Sequence, residues 1–187
     1  MAAKLAHLFD GTQSAPGGKL LLVLMTDDER LADPSPAARR LPAGSIVIVR
    51  SRQPERRALL AQALSQVPGL VLLAANDPLL AGRLDGLHLS ERRAREAAHW
   101  RALRPDWLIT VAAHSARALR ILHADAALLS PVFFTRSHPQ VAPLGAARAR
   151  MIARNSLLPV IALGGVSPAN AGQLRGFAGA AGVSAFL

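Results

Sequence analysis

A double glycine followed by serine and proline is the stretch of this chain whose residue types most directly suggest chemistry. Gly164 and Gly165 follow an apolar run that begins at Pro159, and Ser167-Pro168 has the residue types of a helix N-cap and first helical position. Glycines let a backbone approach an anion, and a helix N-terminus presents free N–H groups to it. The stretch predicts a phosphate site at Gly164, Gly165 and Ser167, with an ordinary tight turn as the alternative.

Eight short apolar runs divide the rest of the chain. Their length and continuous apolarity are typical of parallel strands that are covered by helices on one side and pack against other strands on the inside. Segments with helical periodicity lie between them, and Pro54–Val67 and Glu91–Leu103 have the most regular patterns. The runs are Leu20–Met25, Ser45–Val49, Leu70–Ala74, Gly86–Leu89, Trp107–Val111, Ala126–Leu129, Val160–Leu163 and Gly182–Leu187.

This alternation predicts an α/β fold, a compact (β/α)8 TIM barrel of eight parallel strands. Shorter helical patterns over Ser115–His123 and Ala146–Arg154 complete the series. We expect residues 19–187 to form a single barrel domain and residues 1–18, with their glycines and proline, to form a loose arm. The sequence stops at the eighth run, which leaves no residues for a last outer helix. An uncovered last strand predicts either a homodimer in which a second copy covers it or a reduced stability.

Composition narrows the classes of function. The chain of 187 residues has no cysteine, which excludes disulfides and thiolate chemistry. Its net charge of +10 is spread over helical segments, with five Phe, two Trp and no Tyr, so we do not expect a nucleic-acid partner. It has no bilayer-spanning apolar stretch and no signal peptide, which predicts a cytoplasmic protein without membrane contact.

Seven motifs at predicted strand ends occur in the order found in one barrel superfamily. Each is weak alone, but barrel enzymes place their sites at the carboxyl ends of strands. By these motifs the chain resembles the thiamine-phosphate synthase and TenI superfamily from about Leu20 to Leu187. The motifs are Leu24-Met25-Thr26-Asp27, Arg50-Ser51-Arg52, Asn76-Asp77, Asp85-Gly86-Leu87-His88-Leu89, His114-Ser115, Pro131-Val132-Phe133-Phe134-Thr135 and Ile161-Ala162-Leu163-Gly164-Gly165-Val166.

For a synthase, the resemblance implies that Mg²⁺ holds a pyrimidine pyrophosphate while a thiazole phosphate captures the pyrimidine. Asn76, Asp77 and Glu91 would then be the metal ligands, since Mg²⁺ prefers oxygen donors. Arg50 and Arg52 would neutralise the phosphate groups.

Several family positions are changed. Arg93 stands where the resemblance implies a second metal carboxylate, Arg52 replaces a lysine and Ala112 replaces a serine. Losing one buried electrostatic contact typically costs on the order of 100-fold in rate. The changes therefore predict lost or altered synthase activity.

The TenI branch resembles this chain more closely. Its members aromatise a thiazole carboxylate phosphate by a proton shift without metal, and His114 matches their catalytic histidine. An imidazole can take and return a proton near neutral pH. The alternative is that His114 only caps a helix beginning at Ser115.

Three polar positions have simpler interpretations beside the functional one. His88 alternates with leucines in a strand, which favours a packed barrel histidine over an acid or base. Asp77 with Asn76 precedes a proline and is as well suited to cap a short helix as to bind metal. His138 lies in the loop after the sixth strand, where solvent exposure is favoured over substrate binding.

The leading hypothesis is a metal-independent, TenI-like tautomerase without cofactor that acts on a thiazole phosphate. His114 would move the proton, the Gly164-Gly165 turn with Ser167 would hold the phosphate, and Thr135 with Arg50 would orient the ligand. The alternatives are a divergent Mg²⁺-dependent thiamine-phosphate synthase and a catalytically silent barrel that binds a thiazole or thiamine phosphate.

Overall fold

The computed structural model of the protein describes residues 20–120, 123–135 and 139–183. In this part of the chain eight parallel strands pair in sequence order, and the eighth pairs with the first, so the sheet closes into a barrel. The predicted (β/α)8 fold is thereby confirmed. The strands are β1 Leu21–Met25, β2 Ile46–Val49, β3 Val71–Ala75, β4 Gly86–Leu89, β5 Leu108–Ala113, β6 Ala126–Leu129, β7 Val160–Leu163 and β8 Gly179–Gly182.

The first seven strands match the predicted runs to within two residues, but the predicted eighth strand, Gly182–Leu187, is wrong. The strand that closes the barrel is β8, which begins three residues earlier and consists only of glycine and alanine. A Cβ on Gly179 would lie 2.4 Å from the carbonyl oxygen of Leu21 on β1. Small side chains are therefore required where β8 meets β1. Glycine and alanine are not typical strand residues, so the sequence pattern did not predict this strand. Residues 184–187 lie outside the described part.

Five α-helices lie between the strands of the described residues. Two of the predicted segments changed: Pro54–Val67 ends earlier, and Glu91–Leu103 divides into a 3-10 turn over Glu91–Arg93 and an α-helix. None of these helices is long and apolar enough to cross a membrane. The helices are α1 Ser35–Arg39, α2 Pro54–Ser65, α3 Pro78–Ala81, α4 Glu96–Leu103 and α5 Ala146–Arg154.

Two predicted helices do not form in the described residues. Over 115–120 the backbone makes only i to i+3 bonds, as from Ala118 N–H to the Ser115 carbonyl, and the predicted helix Ser115–His123 is absent there. The helix predicted to start at Ser167-Pro168 is also wrong, because a turn and a 3-10 segment over Ala171–Gln173 replace it. A short segment gains too few hydrogen bonds to offset the cost of helix nucleation.

Alternate residues of each strand face opposite sides of the sheet. Inside the barrel lies an apolar cluster that includes Val23, Ile46, Leu73, Leu128 and Ile161. The intervening residues pack against the outer helices in two further clusters. The interior cluster fills the barrel, so a ligand site is left only at the strand ends and the loops that follow them. The predicted N-terminal arm, residues 1–18, lies outside the described residues.

Gly86 on β4 offers a direct test of the tight packing between barrel strands. A Cβ at this position would lie 2.0 Å from the carbonyl oxygen of Leu108 on β5. We expect Gly86→Ala to lower the free energy of unfolding by about 3 kcal/mol, because backbone rather than a flexible side chain must move. Urea unfolding measures this. Gly172→Ala is the control, since a Cβ there meets nothing within 4 Å; equal effects of both changes would contradict the packing argument.

Candidate functional site

A cavity of about 670 Å³ opens at the carboxyl ends of the strands. Residues that follow β1, β2, β5, β6, β7 and β8 line it. This volume suits a small-molecule ligand. The position agrees with the rule that barrel enzymes place their sites at this face.

The cavity brings together five of the predicted site residues: His114, Arg50, Thr135, Gly164 and Gly165. They follow β2, β5, β6 and β7, which are distant in the sequence. They line one cavity because the sheet closes into a barrel.

The other predicted site residues do not line this cavity. The Arg52 side chain is 90% exposed, with its nearest ion-pair partner, Glu29, 3.9 Å away. Ser167, Asn76, Asp77 and Glu91 are also absent from the cavity wall. His138 lies outside the described residues.

Packing against the loop after β6 requires glycine at both positions of the double glycine. Gly164 and Gly165 have φ of +94° and +65°, which other residues rarely adopt. A Cβ on Gly165 would lie 2.1 Å from the carbonyl oxygen of Phe134. The turn after β7 thus needs glycine so that the loop after β6 can lie against it.

The same turn also offers hydrogen-bond donors to the cavity. Among the described residues, the backbone N–H groups of Gly165 and Val166, both of which line the cavity, donate to no protein acceptor. Buried or half-buried N–H groups ordinarily have a partner. Two adjacent N–H groups without one suit the oxygen atoms of a phosphate.

Ser167 is not the N-cap that its sequence position suggests. Its N–H donates to Asn170 Oδ1 at 2.9 Å, and Asn170 Nδ2 donates to the Gly165 carbonyl at 2.8 Å. These two hydrogen bonds of the Asn170 side chain stabilise the glycine turn, and no helix begins at Ser167. The serine N–H is engaged and is not available to an anion.

His114 is held by a carboxylate rather than by a helix. Both its backbone N–H and its ring Nδ1 lie against Glu91 Oε2, at 2.7 and 2.6 Å. A carboxylate only accepts hydrogen bonds, so Nδ1 carries the proton and Nε2 is the basic nitrogen. The alternative interpretation of His114 as a helix cap is wrong, because the helix after it is absent.

The predicted metal residues are occupied by other contacts. Asp77 Oδ1 accepts from Leu80 N–H at 3.0 Å and caps α3, which confirms the capping interpretation. Its Oδ2 pairs with Arg57 at 3.1 Å. Asn76 Oδ1 accepts from Ser90 N–H at 2.8 Å.

The guanidinium group of Arg93 lies beside Asn76. Arg93 Nη1 donates to the Asn76 carbonyl at 2.6 Å, and two bonds of 2.7 Å tie the guanidinium to Glu96. The hydrogen bonds to Glu96 raise the pKa of Arg93. Among the described residues no three His, Asp or Glu side chains lie together. Asn76 and Asp77 are already hydrogen-bonded and have the Arg93 guanidinium beside them, so these donors do not fit Mg²⁺.

His88 is buried inside the barrel beneath the cavity, and its Nδ1 lies 2.9 Å from Thr110 Oγ1. The interpretation as a packed barrel histidine is confirmed. Burial, and next the charge of Arg50, lower its pKa from 6.5 to about 4. His88 is therefore neutral at neutral pH.

Sequence analysis did not single out Arg30 and Phe134 as site residues, yet both line the cavity. Phe134 is 64% exposed and presents a ring at the cavity wall. Arg30 reaches the cavity from the loop after β1, where it bonds to Asp27. Phe134 lies inside a quoted motif, whereas no pattern in the sequence marks Arg30.

These features define a class of protein: a (β/α)8 barrel with a glycine turn and a histidine at one cavity. The chain belongs to the thiamine monophosphate synthase family (TMP-TENI), whose profile matches residues 22–186. The superfamily predicted from the seven motifs is thereby confirmed.

The relatives differ in how much of their length is matched. A putative thiamine-phosphate synthase 2 of Aquifex aeolicus is 33% identical over 116 residues, which are 59% of this chain and 62% of the relative. The thiamine-phosphate synthase of Laribacter hongkongensis is 32% identical over 157 residues, 76% of this chain and 74% of the relative. The chain thus spans less than two thirds of the first relative.

The fold also has a solved counterpart. The thiamine phosphate pyrophosphorylase structure from Pyrococcus furiosus superposes with a TM-score of 0.71. The overlap covers 88% of this chain and 86% of that one, at 20% identity. At this identity the likeness supports the barrel fold alone.

The buried His88 predicts a pH dependence of stability. The unfolded chain binds the proton near pH 6.5 and the folded chain only near pH 4. The unfolded state is therefore favoured as pH falls through this window, and His88 costs about 3 kcal/mol of stability by pH 4.

Urea unfolding at pH 7 and pH 4.5 measures this for the wild type and for His88→Asn. We expect the variant to lose less stability over the interval. His99→Asn, at an exposed histidine, is the control and should follow the wild type. A variant His88→Asn with the wild-type pH dependence would contradict the assignment.

Proposed function

We propose that the protein binds a thiazole phosphate and catalyses an aromatising proton shift on its ring without a metal. The observation that supports this most is His114, which lines the same cavity as the unpartnered N–H groups of Gly165 and Val166. Family membership supports the ligand class, and the geometry of the histidine supports the reaction type.

The phosphate would be bound at the turn after β7. Gly165 and Val166 N–H groups would donate to its oxygen atoms, and the Asn170 side chain holds this turn in place. Phe134, exposed at the same wall, would contact the heteroaromatic ring, since aromatic faces pack well against each other.

His114 would move the proton. Glu91 fixes the ring with Nδ1 protonated, at 2.6 Å, so that Nε2 accepts a proton from the ligand. The imidazolium that forms is stabilised by the same carboxylate and returns a proton to a second ring position. Thr135 and Arg50 line the cavity and would orient the ligand between the phosphate site and the histidine.

Replacing His114 by Gln tests this mechanism. We expect turnover of the non-aromatic thiazole carboxylate phosphate to fall at least 100-fold, since general acid–base catalysis typically contributes about 10²–10⁴. Binding of the aromatic product should change little, because the phosphate contacts are intact. Ultraviolet absorbance follows aromatisation, and calorimetry follows binding.

His123→Gln is the matched control, at an exposed histidine outside the cavity, and should keep wild-type turnover. Full activity of His114→Gln would refute the proposal. Saturable binding by the wild type without turnover would instead identify the silent barrel.

A second candidate is a thiamine-phosphate synthase, as the two relatives from Aquifex aeolicus and Laribacter hongkongensis are named. It would transfer a pyrimidine from its pyrophosphate to the thiazole phosphate. The contacts of Arg93 with Asn76 and Glu96 argue against a resident Mg²⁺, so we rank this activity second.

The synthase alternative is tested by incubating the protein with the pyrimidine pyrophosphate, thiazole phosphate and Mg²⁺. We expect no thiamine phosphate by chromatography, because a guanidinium occupies the position of a metal carboxylate. Arg93→Asp, which restores a carboxylate there, is the informative variant. Product formed by the wild type, and lost with EDTA, would establish the synthase and overturn our ranking.

A further inference from the structure

The charge of this chain is unevenly distributed along the sequence. All 12 Asp and Glu residues lie between Asp10 and Asp125, whereas residues 126–187 contain five arginines, no lysine and no carboxylate side chain. Half of the net charge of +10 therefore belongs to the last third of the chain. Four of these arginines lie in the described residues: Arg148, Arg150, Arg154 and Arg175.

Helix α5 places three of these arginines on the outside of the barrel. Its buried side chains belong to the apolar cluster between the strands and the outer helices. Arg150 and Arg154 are four residues apart and are therefore neighbours on one face of the helix. A groove of about 290 Å³ runs along this face, lined by Ala147, Arg150, Met151, Arg154 and Asn155.

Arg175 extends the positive surface beyond the helix. It is exposed in the turn between the 3-10 segment Ala171–Gln173 and β8. A Cβ on the next residue, Gly176, would lie 3.5 Å from both Cγ and Nε of Arg154. The Arg154 side chain therefore lies against this turn. The surface is named the α5 basic face and consists of Arg148, Arg150, Met151, Arg154 and Arg175.

The arginines of the α5 basic face have no acidic partner among the described residues. Eight other arginines of the described chain pair with a carboxylate, and none of these ion pairs includes the α5 basic face. Nε of Arg150 is shielded from solvent and has no hydrogen-bond partner. Buried donors ordinarily have an acceptor. The geometry thus leaves a guanidinium group that a carboxylate from outside could pair with.

Exposed apolar side chains accompany these charges. Met151 in the groove is 59% exposed, and Leu157, shortly after the helix, is 86% exposed. Arginine and methionine are enriched where proteins bind each other. Sequence-tolerant nucleic-acid binding instead uses aromatic side chains for stacking, and α5 has no aromatic residue. The composition of the α5 basic face therefore favours a protein partner.

A second copy of this chain is poorly suited to cover the face. Most carboxylates of the described residues already pair with an arginine or histidine of the same chain. Two copies with a net charge of +10 each would also repel one another. The partner must therefore bring its own carboxylates.

We propose that the α5 basic face docks an acidic helical segment of another protein, whose carboxylates pair with Arg150 and Arg154 and whose apolar side chain packs on Met151. Carboxylates four residues apart on a helix are separated by about 6 Å along its axis, as are these two arginine positions. Guanidinium groups bind carboxylates through paired N–H donors.

This docking is independent of the proposed function. None of the residues of the α5 basic face lines the cavity at the strand ends. A partner on α5 would therefore leave that cavity open to its ligand.

Fluorescence anisotropy with a labelled synthetic peptide tests the site. The probe is a helical peptide of about 20 residues with glutamates four residues apart on either side of leucines. A peptide of the same composition in scrambled order is its control. We expect the ordered peptide to bind at least about tenfold more tightly, because only it presents carboxylates and leucines on one face.

Matched variants assign the binding to the α5 basic face. R150Q/R154Q should lose at least about tenfold in affinity for the ordered peptide. Met151→Gln should lose about threefold, because the apolar contact is removed while helix propensity is kept. R83Q/R120Q removes two exposed arginines elsewhere and should bind like the wild type. Urea unfolding checks that each variant is folded, and turnover of the thiazole phosphate should be the same in all of them.

Equal affinity for the two peptides, undiminished binding by R150Q/R154Q, or an equal loss in R83Q/R120Q would overturn the proposal. So would unchanged binding by Met151→Gln, since the attraction would then be general charge. Tighter binding of single-stranded DNA or of phosphatidylserine vesicles than of the peptide, lost in R150Q/R154Q, would assign the face to a nucleic acid or a membrane instead. Dimerisation of the wild type in sedimentation, lost in the same variant, would assign it to a second copy.

Discussion

Closure of the barrel between β1 and β8 is the constraint on which the rest of this structure depends. The two strands pair from Leu21 with Gly179 onward, and any side chain at Gly179 would strike the β1 backbone. Closure brings the loops after β1 and β2 beside those after β7 and β8. Without it, the arginines of the first loops and the glycine turn of the seventh would not face one cavity.

The cavity wall carries two kinds of hydrogen-bond donor. The turn after β7 uses backbone N–H groups of Gly165 and Val166, whereas the opposite contributions from β1 and β2 are the guanidinium groups of Arg30 and Arg50. His114 stands at the same cavity with its tautomer set by Glu91. The residues that line the cavity thus come from several different strands, which is how barrels combine functions.

Arginine and carboxylate side chains around the predicted metal position bond to each other and to nearby backbone groups. Arg93 bonds the Asn76 carbonyl and Glu96, while Asp77 caps α3 and pairs with Arg57. Each group that could have served as a ligand has a structural partner instead. These contacts stabilise the loops after β3 and β4.

The sequence by itself determined the barrel, seven of its strands and five of the residues that line the cavity, because continuous apolar runs and motifs at strand ends are local signals. Only the tertiary structure decided the position of β8, whose small residues reflect contact with β1. It also decided that Asn170 stabilises a turn after Gly165 where a helix was predicted. The hydrogen bond from His114 to Glu91 and the position of Arg30 at the cavity likewise became visible only in the structure. Such contacts join residues distant in the chain, and local sequence patterns do not record them.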